Sequence, residues 1–254
     1  MTDQLRIVIT GAAGGAGSAA VELFAEDGAS VAAVVHKTGL SATLRGFPNV
    51  HEFACDISDR GAVHAIFDRI ARDLGGVDAL IHTAAVEGYV RASDIDDTHL
   101  TPILRVNIGG TIYTNQAAHR HMRDAGGGSI VNFHSLAAIL GAFSDLGHYA
   151  ASKGAVGAWT RTAAREWGPD GVRVNAIAPV MRTTMLDNYL GTLSEDELTA
   201  YTESMRGVIH LNDGKHGDPK QHIAPVLRFL ASDASAFITG QTIAVDGGWA
   251  KLGS

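Results

Sequence analysis

A single cysteine, Cys55, stands in this chain of 254 residues, so no internal disulfide can brace it. A lone thiol of this kind reads as a small buried group in a reducing compartment. The N-terminal run Met1-Thr2-Asp3-Gln4-Leu5-Arg6 has no apolar signal core, and no apolar run approaches the length of a bilayer crossing. A soluble chain with no membrane partner is expected, and the cytoplasm is its default location. Positive charge is also short, since 20 Lys and Arg against 27 Asp and Glu leave a formal net charge of −7. A general grip on nucleic acid needs a basic surface, so no nucleic acid partner is expected. No paired His-Glu-x-x-His spacing occurs among the 12 histidines and no thiolate set is available, so no metal is expected. His119 and His121 are two apart and point in different directions on a helix. No Gly-x-Ser-x-Gly elbow surrounds Ser135, which argues against a hydrolase. Internal repeats, low-complexity tracts and linkers are absent.

Core material, by contrast, is ample: 46% of residues are apolar and 19% charged. Seven short apolar runs read as buried strands: Leu5–Ile9, Val31–Val35, Val50–Ala54, Val77–Ile81, Ser129–Phe133, Val172–Ala176 and Thr242–Val245. Between them lie helix-like stretches at Ser18–Glu26, Arg60–Leu74, Ile103–Arg123 and Tyr149–Trp167, with further helices at Ser194–Met205 and Gln221–Leu230. Ala20, Val21, Phe24 and Ala25 form one stripe of the first helix, as packing on a sheet requires. Strands apolar on both faces, alternating with helices, predict a doubly wound α/β fold with a mostly parallel seven-stranded sheet, residues 1–254 forming one domain. The least regular stretch, about 180–221, is a long excursion that reads equally as a lid or as surface decoration.

The thirty glycines cluster, most visibly in Thr10-Gly11-Ala12-Ala13-Gly14-Gly15-Ala16-Gly17, between the first strand and the first helix. Such a loop turns tightly, lets the backbone approach a pyrophosphate, and aims a helix N-terminus at the anion. The position is what makes the signal specific. After the second strand, an acid would bind the ribose hydroxyls of NAD, and basic groups would accommodate the extra phosphate of NADP. Here the strand closes as Val34-Val35-His36-Lys37, with no acid, so NADP is favoured; the competing reading makes His36 and Lys37 ordinary solvated residues.

Tyr149-Ala150-Ala151-Ser152-Lys153 puts a phenol and an ammonium one helical turn apart on one face. A nearby cation favours phenolate and lowers a phenol's pKa from about 10, which suits proton transfer to a carbonyl oxygen as hydride arrives. Ser135, fourteen residues earlier and just after a strand, is positioned to hydrogen-bond that oxygen. Ser144 is a rival, although a turn role in the Gly141–Gly147 loop explains it. Asn107, a mediocre helix former inside a helical run, reads either as a link to Lys153 or as a structural amide.

With these residues assembled, the chain resembles the short-chain dehydrogenase/reductase family, in its compact branch. The likeness runs from Thr10 to Trp249. It rests on the glycine loop, Asp56, Asn107, Ser135, the Tyr149/Lys153 pair, Val174-Asn175-Ala176-Ile177-Ala178-Pro179, and Ile238-Thr239-Gly240-Gln241 through Asp246-Gly247-Gly248. The resemblance implies a Rossmann-type fold and hydride transfer between NAD(P) and a small-molecule secondary alcohol or ketone. Asn107, Ser135, Tyr149 and Lys153 would act together, with Tyr149 as the acid/base and Asn107 anchoring a water path that refills its proton. It further implies cofactor contacts at Gly11, Ala13, Gly14, Gly15, Ala16 and Gly17, at His36 and Lys37, and from Asp56 and Ile57 flanking the adenine. Thr83 and Ala84 would pack on the cofactor, Tyr149 and Lys153 would meet the nicotinamide ribose, and Thr184 would lie by the nicotinamide. A homotetramer or homodimer built on the helices at Ile103–Arg123 and Tyr149–Trp167 also follows from the resemblance.

Several positions depart from the family pattern. His82-Thr83-Ala84-Ala85 stands where the family has Asn-Asn-Ala-Gly, and Val180 replaces a glycine after Pro179. The Ser135-to-Tyr149 interval is one residue longer than is common in the family, so a bulged substrate loop is expected. His134 and His148 are candidates to line the pocket. Tyr189, Leu190, Tyr201, Met205 and Ile209 would suit an apolar or aromatic substrate, or pack on a neighbour. The alternative reading is a dinucleotide-sensing protein without catalysis; an epimerase of the extended branch would need a larger C-terminal domain.

Overall fold

The computed structural model describes residues 4–141 and 145–250, so Ser144 lies outside the described residues. Its centre is a seven-stranded sheet: β1 (Arg6–Thr10), β2 (Ser30–Val35), β3 (Val50–Ala54), β4 (Ala79–His82), β5 (Gly128–Phe133), β6 (Val172–Pro179) and β7 (Thr242–Val245). The spatial order is β3-β2-β1-β4-β5-β6-β7, and all six strand pairings are parallel. This is the doubly wound, Rossmann-type arrangement the alternating pattern called for. Strands that read as continuous apolar runs do so because both faces are covered. In β1, Ile7 and Ile9 join a core with Phe24 and Leu227 on one face, and Val8 joins Phe67 and Met122 on the other.

The covering helices are α1 (Gly15–Glu26), α2 (Ala42–Arg45), α3 (Arg60–Leu74), α4 (Asp97–Ile103), α5 (Thr111–Ala125), α6 (Ala137–Leu140), α7 (Gly147–Trp167), α8 (Thr184–Leu190), α9 (Glu195–Arg206) and α10 (Ala224–Ala231). The ends of α3 follow from its sequence: the Asp59 side chain accepts from Ala62 N–H, and Gly75 stops the helix in the left-handed region at φ +80°.

One helix differs from its reading. Instead of a single helix over Ile103–Arg123, α4 and α5 are joined by a π-helical turn, Leu104–Gly110. The extra residue sits where Asn107 reaches sideways to Val86 and where Gly110 gives way to Ile57, whose Cδ1 lies 2.6 Å from the position of a Cβ. A second π turn, Pro219–Ile223, precedes α10. The excursion is partly ordered into α8 and α9 and covers a small apolar cluster of Leu136, Ala178, Val180 and Ile209. Among the described residues, no helix is long and apolar enough to cross a membrane.

Candidate active site

Strand order reverses at β1, between β2 and β4, and a crevice opens there at the carboxyl ends of the strands, the usual ligand position in such sheets. The glycine loop forms its floor. Gly11 adopts φ +68°, and a Cβ there would lie 2.6 Å from Thr83 Oγ1 and 2.8 Å from Ala84 N. Gly17 is equally constrained, because its Cβ would fall 2.2 Å from Gly11 O. Gly14 behaves differently: a Cβ would meet nothing within 4 Å. Gly14 and Gly15 are exposed, whereas Ala16 and Gly17 are buried against the sheet. The N-terminus of α1 has no side-chain cap and no acid in its first turn, so its amide donors face open space above Gly14. These features fit a dinucleotide pyrophosphate.

To one side of the loop lies a cavity of about 460 Å³ lined by Gly11, Ala13, His36, Lys37, Asp56, Ile57 and Ala84, among others. Asp56 accepts from Ser58 N–H at 2.9 Å and sits 4.0 Å from His36 Nδ1. Its carboxyl is held below the usual range, chiefly by the Ser58 hydrogen bond. Thr83 donates to Thr10 O at 2.7 Å, tying the end of β4 to the glycine loop.

On the other side lies a larger cavity of about 820 Å³, and Ser135, Tyr149 and Lys153 all line it. Tyr149 and Lys153 lie in the first two turns of α7, and Lys153 Nζ sits 5.7 Å from the centre of the Tyr149 ring. The lysine donates to Phe133 O at 2.9 Å, at the end of β5. Ser135 lies two residues beyond the end of that strand, so a strand end and a helix start converge on one cavity. Asn107 is buried behind them. Its Oδ1 accepts from Val86 N–H at 2.8 Å, and its Nδ2 donates to Val86 O at 2.8 Å and to Ser152 Oγ at 3.0 Å. The amide therefore reaches Ser152, next to Lys153, and not the lysine itself.

The titration of the pair differs from the simple expectation. Tyr149 is pushed up to about 12, first by burial and then by the charge of Glu87, against the opposing Ser135 hydroxyl. Lys153 is pushed down to about 8 by burial, with Glu87 resisting. The ammonium is engaged at the Phe133 carbonyl, and burial of both side chains carries the two shifts in opposite directions. His82, completely buried, falls to about 3, and its Nε2 has no hydrogen-bond partner. Its Nδ1 lies 2.9 Å from Thr10 Oγ1 and 3.1 Å from Thr114 Oγ1, so histidine fills the asparagine position of the family by bridging a strand and a helix.

Of the other expected residues, His134 lines the large cavity, and its Nδ1 lies 2.9 Å from Ser135 O. His148 is buried against Gly88 and is absent from the cavity wall. Thr183, the cap of α8, lines the cavity, whereas Thr184 is exposed one position on. Tyr189, Tyr201 and Met205 also line it; Ile209 is buried with Leu136, Ala178 and Val180 instead, and Leu190 is not on the wall. Sequence reasoning missed Glu87, Tyr89 and Asp145 on this wall. They belong to connections without periodicity, and only the folded chain brings them beside Tyr149.

A family model described as enoyl-(acyl carrier protein) reductase matches residues 11–250. The D-threitol dehydrogenase of Mycolicibacterium smegmatis is 35% identical over 247 residues, covering 95% of this chain and 91% of that protein. The cis-4-hydroxycyclohexanecarboxylate dehydrogenase of Sinomonas cyclohexanicum is 33% identical over 250 residues, covering 96% of each. A solved short-chain type dehydrogenase/reductase from Mycobacterium ulcerans superposes with a TM-score of 0.85 at 27% identity, over 97% of this chain and 90% of that one. These relatives are dehydrogenases and reductases, and they lend no support to a sensor without turnover. Glycine cradle, parallel sheet and matched length agree: the chain belongs to the short-chain dehydrogenase/reductase family of NAD(P)-dependent oxidoreductases.

Proposed function

We propose that this chain interconverts a secondary alcohol and its ketone, with Tyr149 giving and taking the proton. The observation that carries the reading is the convergence of Tyr149, Ser135 and Lys153 on one cavity beside the glycine cradle. A bound dinucleotide supplies or accepts the hydride. Ser135 holds the substrate oxygen, and its hydroxyl also bears on the Tyr149 phenol. With its pKa near 12, the phenol stays protonated at neutral pH, the form needed to protonate the oxygen of a ketone as it is reduced. Lys153, still largely charged at pH 7 with a pKa near 8, stabilises negative charge on the phenol as the proton leaves and would hold the nicotinamide ribose of a bound dinucleotide. Both Asn107 amide protons are committed to Val86 O and Ser152 Oγ, so we assign Asn107 to positioning α7, in preference to a proton path.

The extended dinucleotide would lie over Gly11, Ala13 and Gly14–Gly17, with Asp56 and Ile57 at the adenine, Thr83 and Ala84 beneath, and Thr183 or Thr184 at the nicotinamide. His36 and Lys37 are exposed at the end of β2 with no acid on that strand, which favours NADP over NAD. We further read the chain as a single domain acting in the cytoplasm as a homotetramer or homodimer, joined through α5 and α7. A monomer by light scattering would remove the assembly claim. The relatives named for D-threitol and cis-4-hydroxycyclohexanecarboxylate make a secondary alcohol the expected substrate class. The test is a turnover screen of secondary alcohols and ketones with both dinucleotides. Turnover by the wild-type chain, lost in Tyr149→Phe, is expected; binding of dinucleotide with no turnover on any compound would overturn the proposal.

A further inference from the structure

Glu87 sits where the proposed reaction has given it no task. It lines the same 820 Å³ cavity as Ser135, Tyr149 and Lys153. Its charge acts on both partners of the pair, raising the phenol and the ammonium alike. The backbone on either side of it is held. Asn107 grips both the N–H and the C=O of Val86 at 2.8 Å, and Gly88 lies against His148, whose Nε2 is 3.3 Å from the position of a Cβ. Among the described residues, no hydrogen bond or ion pair occupies the Glu87 carboxylate. It remains exposed to the cleft while the surrounding walls push its pKa up. Its acceptor oxygens are thus open to the cleft, where a ligand can displace water and supply a donor.

We infer that Glu87 is a specificity-determining residue that accepts a hydrogen bond from a second hydroxyl next to the reacting carbon, so that the enzyme selects neutral vicinal diols and their hydroxyketones. This rests on the dehydrogenase reading above. The sign of the lining points the same way. Lys153 is the only ammonium or guanidinium among the described residues of this cavity, and Asp145 adds a second carboxylate to it. An anionic substrate would therefore meet net repulsion. Lys153 already offsets the Glu87 charge, so an uncharged hydroxyl fits better than a second cation. Tyr189, Tyr201, His216 and Trp249 run ring to ring, with centroids 6.1 to 6.5 Å apart, and form the wall for the carbon face of the substrate.

The test compares kcat/KM for a vicinal cyclohexanediol, cyclohexanol and a hydroxycyclohexanecarboxylate in the wild-type chain, Glu87→Ala and Glu87→Gln. The wild type is expected to favour the diol over cyclohexanol by about tenfold or more, mostly through KM, as for a hydrogen bond to a charged acceptor. Glu87→Ala should bring the two within about twofold and improve use of the carboxylate; Glu87→Gln should fall between. Dinucleotide titration of each variant checks its fold, and the glutamine variant decides the matter if the alanine variant fails to fold. Equal use of diol and cyclohexanol by the wild type, or a diol preference that survives in both variants, would overturn the inference and leave the dehydrogenase reading standing. No turnover of any compound by the wild type would remove that reading and the inference with it.

Discussion

The glycine loop lines the smaller cavity and the excursion carrying α8 and α9 lines the larger one, and the two are held in different ways. In the loop, Gly11 and Gly17 touch backbone atoms so closely that no side chain fits, and Ala12, Ala16 and Ala20 are buried behind them. In α9 no residue is buried; a Ser194/Glu197 capping box, an Arg206–Glu203 ion pair and the contact of Tyr201 with its ring neighbours hold it. Close packing leaves the glycine loop few sequence solutions. Surface contacts on the excursion are worth little individually, so its residues can change without cost to the fold.

The largest test of this contrast lies at the seam between the two sides. Tyr149→Phe should lower turnover by about 10²- to 10⁴-fold, the usual contribution of a general acid/base, while dinucleotide titration shows near-normal binding. The pH profile sharpens the point. Lys153 loses its charge as the pH rises through about 8, so kcat/KM for ketone reduction should decline above that value.

Within the loop, the two kinds of glycine should separate. Gly17→Ala forces a Cβ to within 2.2 Å of Gly11 O and should cost about 1–3 kcal/mol in denaturant unfolding, with weakened dinucleotide binding. Gly14→Ala meets no protein atom within 4 Å and should leave unfolding unchanged while weakening dinucleotide binding, since its Cβ enters the phosphate space. Equal loss of stability in both variants would break the distinction between packing and ligand glycines.

A third test concerns the buried floor between the two sides. His82 titrates near 3 in the fold because of burial and then Lys153, against an ordinary value of 6.5. Between those values the unfolded chain binds a proton that the folded chain refuses. Stability is therefore complete above about pH 6.5 and falls as the pH drops toward 3. His82→Asn should flatten that part of the stability-against-pH curve, measured by urea unfolding. The smallest effect is expected on the excursion. Ser194→Ala removes the cap of α9, worth about 1 kcal/mol to that helix, yet should barely move the global unfolding midpoint. Faster amide exchange confined to α9 would show the uncoupling; a global shift of the same size would refute it.

How much was legible along the chain follows the same division. Arg60–Leu74 appears as a helix with the boundaries its pattern predicts, because the buried stripe Val63, Phe67 and Ile70 records its own period. Val50–Ala54 keeps its predicted bounds but is not the buried strand expected, since at the sheet edge only Phe53 is covered. The π turn at Leu104–Gly110 was not legible, since it arises where Asn107 meets Val86, twenty-one residues away. Tyr149 and Lys153 were legible as a pair because one helical turn joins them. Glu87 was not, because its position beside them depends on how β4 and α7 pack.

The amino-acid order alone determined the strand and helix alternation, the glycine cradle and the phenol–ammonium pair, all features whose residues lie within a turn or a strand of one another. The tertiary structure decided the opposite pKa shifts of that pair, the direction in which the Asn107 amide is used, and which acids line the larger cavity. Those depend on desolvation and on charges brought together from distant segments, and neither is written in any local stretch of chain.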